Sequence, residues 1–253
     1  MAGRVADLDQ FHPEGNYSVK TALAPSPVHT LIPALHNCCV QLWRVDLRID
    51  DELAAELSAC LTEGELARAN RFRFENLRRR FVAARYAMRQ ILGRHLNVAP
   101  GRVALSYGQH GKPFLADVGS GIHFNLAHSG DHALLALTRQ REIGVDIEHI
   151  DPQVDVLGIA RLMYSPTEIE ALQATPPDRR ASLFFTIWTR KEAYIKATGE
   201  GLSAATKEFS VWPIRQSYDG LYVQSLYLQP GVSAAIATSG PLGPVDILDF
   251  PIE

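Results

Sequence analysis

The chain places two carboxylates, Asp146 and Glu148, two positions apart in the apolar run Ile143-Gly144-Val145-Asp146-Ile147-Glu148. On a strand, residues i and i+2 project to one face, so the two acids stand side by side. Like charges on one partly buried face repel. A hard divalent cation such as Mg²⁺ takes one or two protein carboxylates and fills its other positions with water and substrate phosphates, which would relieve the repulsion. The plainer alternative is a strand whose acidic face lies in solvent. A second segment, Trp188-Thr189-Arg190-Lys191-Glu192-Ala193-Tyr194-Ile195-Lys196, spaces Trp188, Glu192 and Lys196 four apart, on one helical stripe. An exposed Glu-to-Lys pair at that spacing is an ordinary helix stabiliser worth about 0.2–0.5 kcal/mol. The tryptophan on the same stripe argues that the line faces protein, where an acid and a base need partners.

A third segment, Phe124-Asn125-Leu126-Ala127-His128-Ser129-Gly130, runs from a strand into a turn. Its exit offers an imidazole, a hydroxyl and backbone N–H groups to an anion, although a lone histidine is more often structural. Lys112 sits in the tight turn Gly111-Lys112-Pro113. Arg68, Arg71, Arg73, Arg78, Arg79, Arg80, Arg85 and Arg89 crowd two successive helical segments. Planar guanidinium forks suit phosphate, and several of these must simply be solvated helix face.

The elements that would position these groups follow from periodicity. Val40–Leu47 alternates as a half-buried strand, and helical stretches follow over 51–60 and 62–72. Over Asn76–Leu96, Phe81, Ala84, Met88, Ile91 and Leu92 recur at helical spacing, which predicts a long amphipathic helix. Short β-rich runs at 103–107, 122–127, 133–138 and 143–147 come next, then a stretch punctuated by Pro166, Pro176 and Pro177. A second long helix is predicted over Arg179–Thr198, and strands over 209–212, 221–228, 232–238 and 245–250. Helices and strands thus appear twice in similar order. The long helices share Arg85-x-Ala87 ending at Gly93 and Lys191-x-Ala193 ending at Gly199, a hint of duplication and of a two-lobed α+β molecule with its ligand in the crease.

Residues 1–39, with Pro13, Pro25, Pro27 and Pro33, read as an irregular extension. A net charge of −3 gives no global field for nucleic acid or anionic membrane, so any anionic ligand needs a local cluster. The cysteines, Cys38, Cys39 and Cys60, have no metal-knuckle spacing and read as reduced thiols of a cytoplasmic protein. No run of about 18 uncharged apolar residues predicts a membrane span.

Gly144-Val145-Asp146-Ile147-Glu148 followed by Trp188-x-x-Lys191-Glu192-Ala193-x-x-Lys196 resembles the paired signature of the Sfp-type 4'-phosphopantetheinyl transferases, in its Trp/Lys-Glu-Ala variant. Phe124–Gly130 is similar to that family's histidine motif, with Ala127 where a serine often stands, and Gly111-Lys112-Pro113 to its lysine turn. The Arg80-Phe81…Ala84-Arg85…Arg89 helix is similar too, so the likeness spans roughly residues 40–240. The resemblance implies an α+β fold of two similar subdomains, 40–140 and 141–253, related by pseudo-twofold symmetry. Each would be a small, mainly antiparallel sheet packed on a long helix, with coenzyme A in the cleft between them.

The resemblance further implies that Asp146, Glu148 and Glu192 bind Mg²⁺. Arg68, Arg80, Lys112, His128, Ser129 and Lys191 would hold coenzyme A, and Glu192, Lys196 and His128 would serve catalysis. The implied reaction transfers the phosphopantetheine arm to a serine of an apo acyl or peptidyl carrier protein and releases 3',5'-ADP. Two internal lobes would make a monomer sufficient. Rival readings are a Mg²⁺-dependent nucleotide diphosphate hydrolase or phosphotransferase, against which the lack of a Walker loop counts, and a carrier-binding module that has lost catalysis.

Overall fold

The structure, a computed structural model, describes residues 17–19, 33–37, 39–199 and 204–252. Strand β2 (Val40–Asp46) shows how the layers arise. Val40 and Leu42 face one way, Trp43 and Val45 the other, and all are buried. A strand apolar on both sides has something packed on each. On the Trp43 side lies helix α3 (Glu75–Leu96), which contributes Met88, Ile91 and Leu92. On the Val40 side lies a second sheet, with Val145, Ile147, Ala234 and Ile236 in the shared layer. The outer face of that sheet is covered by α6 (Pro177–Thr198) through Ala193 and Ala197. The order is therefore helix, sheet, sheet, helix, and each half repeats one arrangement about the apolar layer between them. This is the α+β fold that the sequence implied.

The first sheet runs β1 (Tyr17–Val19), β11 (Val245–Phe250), β2, β6 (His132–Arg139), β5 (Ile122–Ser129). β11 is parallel to β1 and β2, and the other pairs are antiparallel. The second sheet runs β7 (Ile143–His149), β10 (Val232–Ser239), β9 (Leu221–Leu226), β8 (Ser217–Tyr218), antiparallel throughout. A ribbon of β3 (Leu105–Tyr107) and β4 (Pro113–Leu115) carries the turn at Lys112, with Gly111 at φ +78°. Helices α1 (Asp51–Ser58) and α2 (Glu63–Ala69) precede α3. Thr62 and Glu65 start α2 as a reciprocal capping box, the T-x-x-E pattern of a helix start.

The structure departs from the sequence reading at several points. Residues 209–212 form no strand, because their backbone N–H groups are taken by side chains: the Val211 N–H donates to Glu168 Oε1 and the Trp212 N–H to Ser210 Oγ. The proline-punctuated stretch holds two helices, α4 (Val156–Met163) and α5 (Pro166–Ala174). The extension is not wholly irregular, since Tyr17–Val19 pairs with β11; its residues 1–16, 20–32 and Cys38 lie outside the described residues. β11, from the second half of the chain, lies inside the first sheet. No described helix is long and apolar enough to cross a membrane.

Candidate active site

β7 and α6 meet unusually closely. A methyl group on Gly144 would overlap the Ala193 carbonyl oxygen and the Ala197 nitrogen, so only glycine permits this approach. Gly144, Asp146 and Glu148 share the face of β7 turned away from the layer that holds Val145 and Ile147, and α6 covers that face. The stripe from Trp188 through Glu192 to Lys196 faces protein, as the sequence argued: Glu192 is buried, and Trp188 packs on Phe184 in the cluster that joins α4, α5 and α6. Lys196 reaches across to Asp146, with Nζ 2.5 Å from Oδ1. The other Asp146 oxygen, Oδ2, is buried and has no hydrogen-bond partner among the described residues.

Burial raises the Asp146 carboxyl to about 7 against the pull of Lys196, and the charges of Glu148 and Glu192 push it the same way as burial. Burial also raises Glu192, which Lys196 opposes and Glu148 reinforces. The three carboxylates therefore act on one another. As placed, however, no three His, Cys, Asp or Glu side chains among the described residues form a group that could hold a metal ion. What fits a hard divalent cation is the chemistry of the set: carboxylate oxygens, one of them orphaned, around a cationic ammonium that offsets part of their charge.

β5 links this centre to the arginines. Its odd-numbered side chains turn to β7: Asn125 Oδ1 accepts from the Val145 N–H at 2.9 Å, Ala127 packs in the shared layer, and the Ser129 hydroxyl donates to Glu148 Oε2 at 2.9 Å. Its even-numbered Phe124 and Leu126 pack toward the α3 core. His128 keeps part of its surface in solvent at the strand's end, but the enclosure of its ring by neighbouring groups, followed by the charges of Lys196, Arg68, Arg85 and Arg80, holds the imidazole below the usual range. Four cations thus surround one imidazole, a field that favours an anion. Arg80 is pinned beside it by Asp131 of the β5–β6 turn, Nε to Oδ1 2.8 Å. Arg68 and Arg85 both stack on the Phe81 ring.

Three expected coenzyme A contacts are committed elsewhere. The Lys191 ammonium lies 3.0 Å from Glu168 and donates to the carbonyls of Thr206 and Phe209, which occupies its three donors and fixes the 204–209 segment against α5. Lys112 donates to Ile143 O and Lys196 O, 3.5 Å from Glu142, and so ties the start of β7 to an orphan carbonyl in the last turn of α6. Burial holds Lys112 below the ordinary lysine range. Ser129 spends its one proton on Glu148 while its oxygen accepts from the His149 N–H. The sequence reading named Arg85 among the arginines suited to phosphate and Gly144 within the acidic strand motif, but assigned neither a place in the site. Arg85 was detectable, because it falls beside the apolar stripe of Phe81, Ala84 and Met88 and so had to be a buried charge.

Comparison with known proteins bears on this arrangement. Residues 142–238 match the model of the 4'-phosphopantetheinyl transferase superfamily, and residues 49–140 match that of the 4'-phosphopantetheinyl transferase N-terminal region. The chain is 43% identical over 182 residues to the 4'-phosphopantetheinyl transferase HetI of Nostoc, covering 69% of this chain and 77% of that protein. It is 31% identical over 214 residues to the 4'-phosphopantetheinyl transferase psf-1 of Bacillus pumilus, covering 80% and 89%. It is 31% identical over 169 residues to the 4'-phosphopantetheinyl transferase Sfp of Bacillus subtilis, covering 63% and 74%.

Proposed function

The chain belongs to the 4'-phosphopantetheinyl transferase family, of the Sfp type, and from that premise we propose that it moves the phosphopantetheine arm of coenzyme A onto a serine of an apo acyl or peptidyl carrier protein, releasing 3',5'-ADP. The observation that carries this reading is the junction of β5, β7 and α6. There a carboxylate set lies beside a cluster of cations around His128, so that a divalent cation and a polyphosphate find their counter-charges side by side. Asp146, Glu148 and Glu192 would hold Mg²⁺. Once bound, the ion would offset charge on the diphosphate.

The chain's own groups account for the rest. Arg68, Arg80 and His128, joined by Arg85, bind and orient the coenzyme A phosphates. Glu192 takes the proton of the carrier serine as the serine oxygen bonds to the β-phosphorus and the bond to the leaving 3',5'-ADP breaks. Burial raises Glu192 toward the range useful for a general base. Lys196 gives positive charge or a proton to the departing oxygen. The site serves a cleft between subdomains 40–140 and 141–253, a division supported by family matches that meet near residue 141. β11 is the exception, lying with the first subdomain. The working form is a cytoplasmic monomer.

Incubation of the protein with coenzyme A, Mg²⁺ and an apo carrier protein, followed by intact-mass measurement, tests the reading. The carrier should gain roughly 340 Da, as transfer of the phosphoryl-linked arm requires. Release of 3',5'-ADP with no gain on the carrier would point to a hydrolase instead, and no reaction with any carrier to a binding module.

A further inference from the structure

Ser129 lies where the sequence suggests an anion contact, but its hydrogen bonds run the other way. A serine hydroxyl has one proton, and here it goes to Glu148 Oε2 at 2.9 Å, while the oxygen accepts the His149 N–H at 3.2 Å. The backbone bond from the residue next to Glu148 fixes the hydroxyl rotor. The arrangement crosses between sheets, from β5 in the first to β7 in the second. Two pleat repeats earlier, Asn125 makes the companion link to Val145. Gly130 closes the geometry: it sits at φ +55°, and a side chain there would come within 2.9 Å of His149 Nε2.

We propose that Ser129 is a positioning residue, which holds the Glu148 carboxylate in the orientation a divalent cation requires. Glu148 is half-buried at the end of its strand, and an unheld glutamate there would sample several rotamers. With Oε2 held by a fixed hydroxyl, the carboxylate meets a cation without first losing side-chain freedom. A hydrogen-bonded ligand carboxylate is the usual support around a metal, and removing such a partner typically weakens metal affinity about 10–100-fold. The inference rests on Glu148 being a metal ligand.

The test uses the full chain with coenzyme A and follows Mn²⁺ binding by electron paramagnetic resonance, a readout independent of turnover. Ser129→Ala should weaken Mn²⁺ affinity about tenfold with an unchanged melting temperature, and Ser129→Thr, which keeps the hydroxyl, should restore it. Wild-type affinity in Ser129→Ala, with affinity lost in Glu148→Gln, would overturn the positioning role and leave the metal assignment standing. A Ser129→Thr variant as weak as Ser129→Ala would also overturn it, since the hydroxyl would then not be what matters. Wild-type affinity in Glu148→Gln would remove the metal assignment itself, and this inference with it.

Discussion

α3 and α6 are each 22 residues long, each ends in a left-handed residue (Asn97 and Gly199), and each covers the outer face of a sheet. What lies beneath them differs. Under α3 the layer is thick, built from Trp43, Met88, Ile91, Leu92, Phe124 and Leu135. Under α6 it is thin: Ala193, Ala197, Ala235 and Ala237 face one another, and Gly144 has no side chain at all. A thick layer buries more apolar area and so contributes more stability per residue. A thin one lets backbones approach, so that polar side chains of helix and strand can touch, as Lys196 and Asp146 do. Apolar burial is concentrated under one helix and contact between charged side chains under the other.

That contrast can be broken by experiment. The largest effect should come from Glu192→Gln, which removes the proposed base with little change of shape; transfer should fall about 10³-fold while the melting temperature holds, and near-normal turnover would defeat the assignment. Next is Gly144→Ala, whose methyl forces β7 from α6. Urea denaturation should show a loss of about 3 kcal/mol, and carrier mass analysis a severe loss of transfer. The matching test beneath α3, Met88→Leu, keeps volume in the thick layer and should cost less than about 1.5 kcal/mol with transfer intact. A tenfold rise in the KM for coenzyme A with kcat little changed, about 1.4 kcal/mol of binding, is expected of Arg80→Ala.

The smallest effect is a pH dependence. In the metal-free protein the Asp146 carboxyl titrates at about 7 instead of 3.8, so the folded state is favoured by the bound proton at low pH. That contribution is lost as pH rises through about 7. Asp146→Asn should flatten this slope in melting temperature. Added Mg²⁺ should raise the melting temperature by a few degrees (~2–4 °C per kcal/mol) at pH 8 and hardly at pH 5, where the proton competes. Equal shifts at both values would argue against Asp146 as a ligand.

Periodicity carried most of the fold, because α3, α6 and the longer strands of both sheets are apolar at the spacing their geometry demands, whereas β1 and β8 are too short to carry such a pattern. It failed where backbone groups are satisfied by single side chains. The 209–212 run is apolar enough for a strand, yet its N–H groups go to Glu168 and Ser210. The start of α5 lies in Ser165-Pro166-Thr167-Glu168, where Glu168 accepts the Ser165 N–H and Pro166, a breaker inside a helix, is compatible with its first turn. At the site, spacing set Asp146 beside Glu148 and Glu192 one turn from Lys196, while the family resemblance alone implied their roles and gathered them with His128. Neither could assign partners across long separations: Lys191 finds Glu168, Lys112 finds the α6 carbonyl, and Ser129 finds Glu148. Such pairings depend on which strand lies against which helix, and local pattern does not encode that.

The place of β11 has a consequence for how the molecule is made. Val245–Phe250 sits between β1 and β2, more than a hundred residues beyond the other strands of its sheet. On the ribosome, β2 therefore waits with one edge bare until residue 250 has emerged. Both halves must reach their final form together, late in synthesis, and the exposed edge is meanwhile open to mispairing with another nascent chain.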